Sequence, residues 1–286
     1  MTVVGLVAPG DMGAALGKVL SGNGATVLTL LDGRSPATLA RAADAGMTGV
    51  DEAGLVAADF VLSVLPSSQA LGFVERLSPA LAAATRKPVF VECNPLTPDA
   101  LTEIATIVTG TGTPFVDGSI IGFTPRPGYP GPKIFVSGPD AERVAALKAH
   151  GLRIQPLDGP IGAATALKLS YGGISKGIFA VCSASILGAT RAGAAAALFD
   201  ELGRNQPGLM AFIAHGIPDM PSKTGRWVSE MEQVAGYLGA ERIEADLYRT
   251  IARFYGQLAA DFEGDGHETE QLAAFFAQQP KPVGGG

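Results

Sequence analysis

The sequence predicts an α/β domain built on a doubly wound parallel sheet, followed by an all-α domain. Two observations support this prediction. In the first half of the chain, short apolar runs alternate with stretches of helical periodicity, which is typical of a parallel sheet with helices on both faces. Beyond residue 162 the periodicity is helical. We therefore expect one domain over residues 1–160 and a second over residues 161–286.

The apolar, β-branched runs predict the strands, and the stretches with a helical period predict the helices. The expected strands are residues 3–7, 26–30, 60–64, 88–92, 114–117, 133–136 and 153–156. The expected helices are residues 14–21, 36–45, 68–77 and 98–108, and the long alanine-rich segment 163–190. In a sheet of this kind the ligand crevice lies at the carboxyl ends of the strands.

Composition and charge narrow the range of partners. The chain has 21 Lys and Arg against 27 Asp and Glu, a net charge of -6, and no basic cluster, so nucleic acid is not an expected partner. Cys93 and Cys182 lie far apart without the spacing of metal ligands, which predicts reduced thiols and no metal site. The apolar segment 177–190 predicts a buried helix, and no signal-peptide pattern is visible, so we expect a cytoplasmic protein without a membrane partner.

The stretch GLVAPGDMGAALGKVL, residues 5–20, predicts a nucleotide-binding turn. A strand breaks into a glycine-containing turn and then becomes helical, so the first N–H groups of the helix can meet a phosphate at the positive end of its dipole. Read as G-x-G-x-x-G, the turn has Ala8 in place of the first glycine. A plain strand-to-helix turn is the alternative. The expected contacts are Ala8, Pro9, Gly10, Asp11, Met12 and Gly13.

Three further segments carry motifs of one superfamily. Residues 64–67 are similar to its M-L-P step, and residues 91–98 resemble its D-x-S-T-x-x-P segment, with Asn94 and Pro95 in place of Ser and Thr. Residues 159–168 resemble its G-x-G-x-x-x-K entry into a long helix. Together with the glycine turn, these segments resemble a divergent branch of the β-hydroxyacid dehydrogenase superfamily, which includes 6-phosphogluconate and 3-hydroxyisobutyrate dehydrogenases.

The resemblance implies a Rossmann-type domain and an NAD(P)-dependent oxidoreductase. Such an enzyme transfers a hydride between a nicotinamide cofactor and a small carbonyl or alcohol substrate. The resemblance also implies a homodimer. Further cofactor contacts are implied at Leu65, Pro66, Asn94 and Arg226, the last by a weak match of residues 226–235 to the K-D-L-x-x-A helix of the superfamily.

Two signals at the end of the second strand point to different cofactors. Asp32 stands where an acidic residue would hold the ribose 2′-OH of NAD. Arg34 and Ser35 resemble the clamp with which the superfamily holds a phosphate, as in NADP. We favour NADP and leave NAD open. The structural alternative is that Asp32 belongs to a turn and that Ser35 is a helix N-cap.

Lys168 takes the place of the catalytic lysine of the superfamily. That lysine donates a proton to the carbonyl oxygen during reduction and accepts it back during alcohol oxidation. The role requires a partly desolvated amine whose pKa falls toward the working pH. The alternative is a solvated lysine on a helix face.

The chain departs from the superfamily around its expected substrate site. The D-x-P-V-S-G-G loop becomes residues 117–123, so Ser119, Ile121 and Gly122 would line a more apolar pocket. Gly172 replaces an Asn one turn after Lys168 and would make room for a bulkier substrate. Lys176, on the same helix face, would anchor an anionic group or lower the pKa of Lys168, or would simply reach water.

Two other functions stay open. The first is imine reduction, although relatives with that activity usually carry Asp or Tyr at the position of Lys168. The second is a non-catalytic dinucleotide sensor, which the altered positions Asn94, Ile121 and Gly172 keep possible. Fold alone does not distinguish these functions.

Overall fold

The computed structural model describes residues 1–126, 128–239 and 241–278 and confirms the predicted fold class. An eight-stranded, mostly parallel sheet with flanking helices is followed by a helical region. The chain divides into two compact units, Met1–Lys168 and Leu169–Gly286. The division therefore falls after the first residues of a long helix, whereas the sequence placed a boundary at residue 160.

The sheet contains strands that match the expected segments and one that does not. They are β1 (Val3–Val7), β2 (Thr26–Leu30), β3 (Met47–Val50), β4 (Phe60–Ser63), β5 (Val89–Glu92), β6 (Phe115–Ile121), β7 (Lys133–Ser137) and β8 (Arg153–Pro156). β3 was not predicted, because it is a four-residue edge strand whose Thr48 and Gly49 are exposed.

The helices of the first unit cover the sheet, and those of the second unit pack on one another. The first set is α1 (Asp11–Gly22), α2 (Pro36–Asp44), α3 (Glu52–Val56), α4 (Ser67–Ala83), α5 (Pro98–Gly110) and α6 (Ala141–Val144), followed by a 3₁₀ segment (Ala145–His150). The second set is α7 (Ala163–Arg191), which begins in the first unit, α8 (Ala195–Asn205), α9 (Pro207–Gly216), a 3₁₀ turn (Pro221–Lys223), α10 (Thr224–Leu238), α11 (Ile243–Glu263) and α12 (His267–Phe276).

Strand order places the ligand crevice. The order is β3-β2-β1-β4-β5-β6-β7-β8, and its first six strands follow the doubly wound arrangement in which the strand order reverses between the parallel strands β1 and β4. Ligands bind such sheets outside the carboxyl ends of the strands at this reversal. One expectation is corrected, because β7 runs antiparallel to β6. The connection over residues 122–132 has no helix among its described residues, and parallel strands need a longer crossover.

Three apolar clusters form the cores. Two of them lie in the first unit, one containing Leu6, Leu16 and Ile134 and the other containing Val61 and Leu77. The third lies in the second unit. The strands β1, β4 and β5 supply residues to both clusters of the first unit, as expected for a sheet buried on both faces.

Helix α7 contains the segment 177–190, which was expected to be a buried helix. By length and composition alone, α7 is apolar enough to cross a membrane, and 28% of the tested window is buried, which is less than that expectation implies. One helix of this kind is weak evidence for a membrane span, because core helices of globular proteins meet the same criteria.

Candidate functional site

The predicted nucleotide-binding turn joins β1 to α1. Ala8 has a φ of 66°, and it is the one non-glycine residue with positive φ among those the structure describes. Glycine adopts this left-handed conformation easily and alanine does not. A Cβ atom added to Gly13 would overlap the carbonyl oxygen of Ala8, so glycine is required there. Ala8 thus keeps the backbone shape of the glycine it replaces.

The N-terminus of α1 is open to a ligand. Gly10 is its N-cap, is exposed, and brings no capping side chain, and within the described residues no other side chain caps this end. The N–H groups of Asp11, Met12 and Gly13 are therefore available to a phosphate or to water. Pro9 is buried behind the turn.

The residues after β2 form both of the structural features that the sequence offered as alternatives. Asp32 is exposed in a tight turn in which Gly33 has a φ of 67° and the N–H of Arg34 bonds to the carbonyl of Leu31. Ser35 is the N-cap of α2. Neither feature prevents these side chains from meeting a nucleotide, since Asp32 and Ser35 are exposed and Arg34 is half-buried.

Two residues that the sequence reasoning missed join this region to the glycine turn. Arg41 donates through Nε to the carbonyl of Pro9 at 3.1 Å and through Nη2 to Oγ1 of Thr38 at 3.2 Å. Oγ1 of Thr38 lies 3.1 Å from Oγ of Ser35. The signal was available, because Ser35, Thr38 and Arg41 are spaced by three residues and share one side of α2.

The turns after β4 and β5 are tied together by two hydrogen bonds. The N–H of Leu65 donates to Oδ1 of Asn94 at 2.7 Å, and Oγ of Ser67 donates to the carbonyl of Pro95 at 2.7 Å. Asn94 is 2% exposed, so its side chain holds Leu65 from inside the protein. Pro66 is exposed at the start of α4.

A row of buried polar side chains crosses the sheet at the same edge. Register pairs align Ser63 with Glu92, Glu92 with Asp117, and Asp117 with Ser137, so the row runs through β4, β5, β6 and β7. Each of the four is 0% exposed. The row was not predicted, because single polar residues in apolar strands give no sign of their partners.

Glu92 lies in the middle of this row. Its Oε1 accepts from the N–H of Asn94 at 2.9 Å and also from the side-chain amide of Asn94, which in turn donates to Oγ of Ser63 at 3.1 Å. Its Oε2 has no hydrogen-bond partner within the described part of the chain. Burial is the main reason that the pKa of Glu92 is raised to about 7, and the neighbouring Asp117 adds to the rise while the hydrogen bonds oppose it.

Asp117 binds the start of α7. It accepts from Oγ1 of Thr165 at 2.6 Å, from the N–H groups of Thr165 and Gly162 at 3.0 Å, and from Oγ of Ser137 at 3.1 Å. Burial raises the pKa of Asp117, and these bonds oppose the rise.

Lys168 lies one helical turn further along α7 and is half-buried. Burial raises the pKa of the Cys93 thiol, the charge of Glu92 adds to the rise, and the charge of Lys168 lowers it. The lysine is therefore close enough to Cys93, just beyond the carboxyl end of β5, to act on it electrostatically. Lys168 thus belongs to the edge of the sheet where a ligand is expected.

The predicted substrate residues of β6 have different surroundings. Ser119 is 0% exposed, and its Oγ has no partner among the described atoms. Ile121 ends the strand and is half-buried. Gly122 has a φ of 126°, and the hydroxyl of Tyr129 covers the position that a Cβ would take. Tyr129 also accepts from the N–H of Phe123 at 3.3 Å, so the loop after β6 is closed on itself.

The remaining predicted residues lie in the second unit. Lys176 pairs with Glu230 at 2.9 Å and lies 5.5 Å from the ring centroid of Trp227. Arg226 is exposed and pairs with the same Glu230 at 3.1 Å. A Cβ on Gly172 would lie 3.5 Å from Nζ of Lys176. Glu230 therefore compensates the charge of Lys176 inside this unit.

The structure contains two free cysteines, and its described residues form no group of three or more His, Cys, Asp or Glu that could hold a metal ion. The class of protein follows from the fold: an α/β protein with a Rossmann-type sheet and a glycine turn after its first strand, continued by a helical region.

Comparison with known proteins agrees with this class. A model described as a domain of unknown function, DUF1932, matches residues 189–258. No curated protein matches the chain in sequence. A conserved protein of unknown function, itself described as structurally similar to 3-hydroxyacid dehydrogenases, is 25% identical with a TM-score of 0.80, and the alignment covers 94% of this chain and 99% of that one.

Two characterised enzymes have similar structures. The 3-hydroxyisobutyrate dehydrogenase of Mycobacterium tuberculosis, solved with L-serine, is 20% identical with a TM-score of 0.76 over 96% of this chain and 99% of its own. An imine reductase from Myxococcus stipitatus in complex with NADP+ is 17% identical with a TM-score of 0.54 over 97% and 100%. A variant of that reductase is solved with NAD+. The chain resembles the β-hydroxyacid dehydrogenase superfamily, including its divergent members, as the sequence predicted.

Proposed function

We propose that this protein is a nicotinamide-dependent oxidoreductase acting on a small carbonyl or alcohol substrate, with Lys168 as the proton donor and acceptor. The observation that carries the proposal is the uncapped N-terminus of α1 after a glycine turn, at the edge of the sheet where Lys168 also lies. The fold of known hydroxyacid dehydrogenases and imine reductases supports it.

The residues present fit a dinucleotide. Gly13 lets the backbone of the turn pack closely against α1, and the free N–H groups above it suit a pyrophosphate. Arg34 and Arg41, with the hydroxyls of Ser35 and Thr38, suit the 2′-phosphate of NADP, whereas the exposed Asp32 suits the ribose of NAD. NADP is the proposed cofactor. When bound, the nicotinamide supplies or accepts a hydride.

Lys168 would carry the proton that accompanies this hydride. Lys168 is half-buried, so its side chain is partly removed from water, as the proposed role requires. The amine would donate its proton to the carbonyl oxygen during reduction and take it back during oxidation. Five further residues are proposed contacts of the substrate or cofactor. They are Ile121 and Gly122 at the end of β6, and Gly172, Lys176 and Arg226 in the second unit.

The decisive experiment measures oxidation of NADPH and NADH with a panel of aldehydes, keto acids and cyclic imines. Lys168→Ala should lower kcat by about 10²–10⁴-fold, the usual contribution of a general acid, and leave cofactor affinity intact. The exposed Lys148→Ala serves as the matched control and should behave as the parent.

The other outcomes have defined meanings. A parent protein that binds the cofactor but reduces none of the panel is a sensor. Reduction of imines alone, unaffected by Lys168→Ala, identifies an imine reductase with another proton donor. Absence of cofactor binding overturns the whole proposal.

A further inference from the structure

The first turn of α7 is held from outside the helix. A helix N-terminus leaves four N–H groups without an intrahelical partner. In α7, side chains of the sheet accept hydrogen bonds from three backbone N–H groups in the first turn or immediately before it. Asp117 accepts from the N–H groups of Gly162 and Thr165, and Oγ of Ser137 accepts from the N–H of Ala164 at 3.0 Å. The hydroxyl of Thr165 adds a fourth bond from the helix to the sheet.

These hydrogen bonds are buried, and their acceptors are fixed by the register of the sheet. Asp117 and Ser137 are register partners on β6 and β7, each 0% exposed, and Ser137 also donates to Asp117. Thr165 is 3% exposed. Four hydrogen bonds converge on one buried carboxylate, whose negative charge also faces the positive end of the helix.

The same turn supports Lys168. Residues three and four apart on a helix lie on one side of it, so Lys168 is placed directly above Thr165 and Ala164. Any shift of the first turn relative to β6 moves the lysine by a similar distance.

We propose that Asp117 is a positioning residue for the reaction, because it fixes the first turn of α7 to the sheet and thereby sets where the Lys168 amine stands. This inference rests on the proposed function of Lys168. It assigns Asp117 no contact with substrate or cofactor.

The alternative is a cap that only adds stability. A stabilising cap lowers the unfolding midpoint when it is removed but leaves the position of the Lys168 amine unchanged. A positioning residue changes that position, because a loosened first turn moves the amine. Loss of the Asp117 charge also acts on a nearby lysine directly, so Thr165→Val, which removes one of the four bonds and no charge, separates position from charge. The titration of Lys168 is distinguished from that of three nearby groups. These are Glu92 on β5, Cys93 just beyond β5, and Asp117 on β6.

The experiment compares Asp117→Asn with Asp51→Asn in the full chain. Asp51 is the N-cap of α3, where its Oδ1 accepts from the N–H of Gly54 at 2.8 Å, so both substitutions remove a capping carboxylate. Lysine amines are labelled by reductive ¹³C-methylation, Lys168→Arg assigns the resonance, and its titration is followed by NMR. The pH profile of kcat and the dissociation constant of NADPH are measured on the unlabelled proteins.

In Asp117→Asn, and in Thr165→Val, which changes no charge, we expect the ¹³C-methyl resonance of Lys168 to shift from its position in the parent, because the amine moves. We also expect kcat to fall at least about tenfold with a shifted pH profile, while NADPH affinity changes by less than about threefold. These magnitudes correspond to misplacement of one general acid. Asp51→Asn should match the parent in all three measurements.

A Lys168 resonance in Thr165→Val identical to that of the parent would overturn the inference. Should Asp117→Asn fail to fold, Thr165→Val still provides the test, because it removes one of the four bonds and leaves the carboxylate in place. The NMR measurement needs no substrate. If the parent shows no turnover, the proposed function is wrong, but the NMR result still decides whether Asp117 positions Lys168.

Discussion

Ala8 is a residue whose backbone conformation conflicts with its side chain. Its φ of 66° lies in the left-handed region, which costs a non-glycine residue about 1–2 kcal/mol, partly offset by the lower unfolded-state entropy of alanine. We predict that Ala8→Gly stabilises the protein by about 1 kcal/mol, measured by urea unfolding. The matched control is Ala14→Gly inside α1, which should destabilise by a similar amount because glycine weakens helix interiors. Destabilisation by Ala8→Gly would show that Ala8 is not strained.

A substitution of Arg41 tests whether the protein prefers NADPH or NADH. If Arg41 contributes to a 2′-phosphate site, then Arg41→Gln removes a charge-assisted bond of about 1.5–3 kcal/mol and weakens NADPH binding by roughly 10–100-fold. NADH binding should weaken less, only through loss of the bond from Arg41 to the Pro9 carbonyl. Fluorescence titration with both cofactors measures the difference, and Arg143→Gln on α6 is the control. Equal losses for the two cofactors would mean that Arg41 only supports the turn.

At this scale, the sequence predicted residues that act through local geometry and missed those that act through distant partners. The glycine turn and Ser35 are recognisable because their function depends on neighbours along the chain. Asp117 lies 48 residues from Thr165, so no local sequence pattern indicates the hydrogen bond between them. Asn94 is 2% exposed, and its side-chain amide bonds to Glu92 and Ser63; the cofactor contact expected of it stays a prediction.

At the scale of elements, the polar row across β4 to β7 makes stability depend on pH. The folded pKa of Glu92, about 7, lies above its ordinary value of 4.5 because the carboxylate is buried. The folded state therefore holds this proton more tightly than the unfolded chain does. Its contribution to stability is fully present below pH 4.5 and is lost as the pH rises to about 7, a loss of about 3 kcal/mol.

We predict that Glu92→Gln removes most of this loss. The difference in unfolding free energy between variant and parent should shift in favour of the variant by about 3 kcal/mol between pH 4.5 and pH 8. Urea unfolding at several pH values measures it. Glu103→Gln, an exposed position on α5, should give a difference that does not vary with pH. A flat difference for Glu92→Gln as well would show that folding does not raise the pKa of Glu92.

The apolar runs predicted the bounds of β1, β2 and β8, which coincide with those in the structure. β6 is longer than predicted, because its second half, with Ser119 and Ile121, pairs with the antiparallel β7. The antiparallel direction depends on the connection between the two strands, which apolar periodicity does not reveal.

At the scale of the whole molecule, the remaining question is association. Helix α7 exposes Tyr171, Ile174 and Val181 to 60%, 61% and 58%, and their spacing places them on one side of the helix. An exposed apolar stripe of this kind favours a protein partner, and we propose a second copy of this chain. Ile174→Glu places a carboxylate in that stripe and should weaken a dimer by about 3 kcal/mol, roughly a hundredfold, so that the mass from light scattering at micromolar concentration halves.

Leu39→Glu, at an exposed apolar residue of α2, should leave the mass unchanged. A parent that is already a monomer, or a dimer unaffected by Ile174→Glu, would exclude this face as the interface.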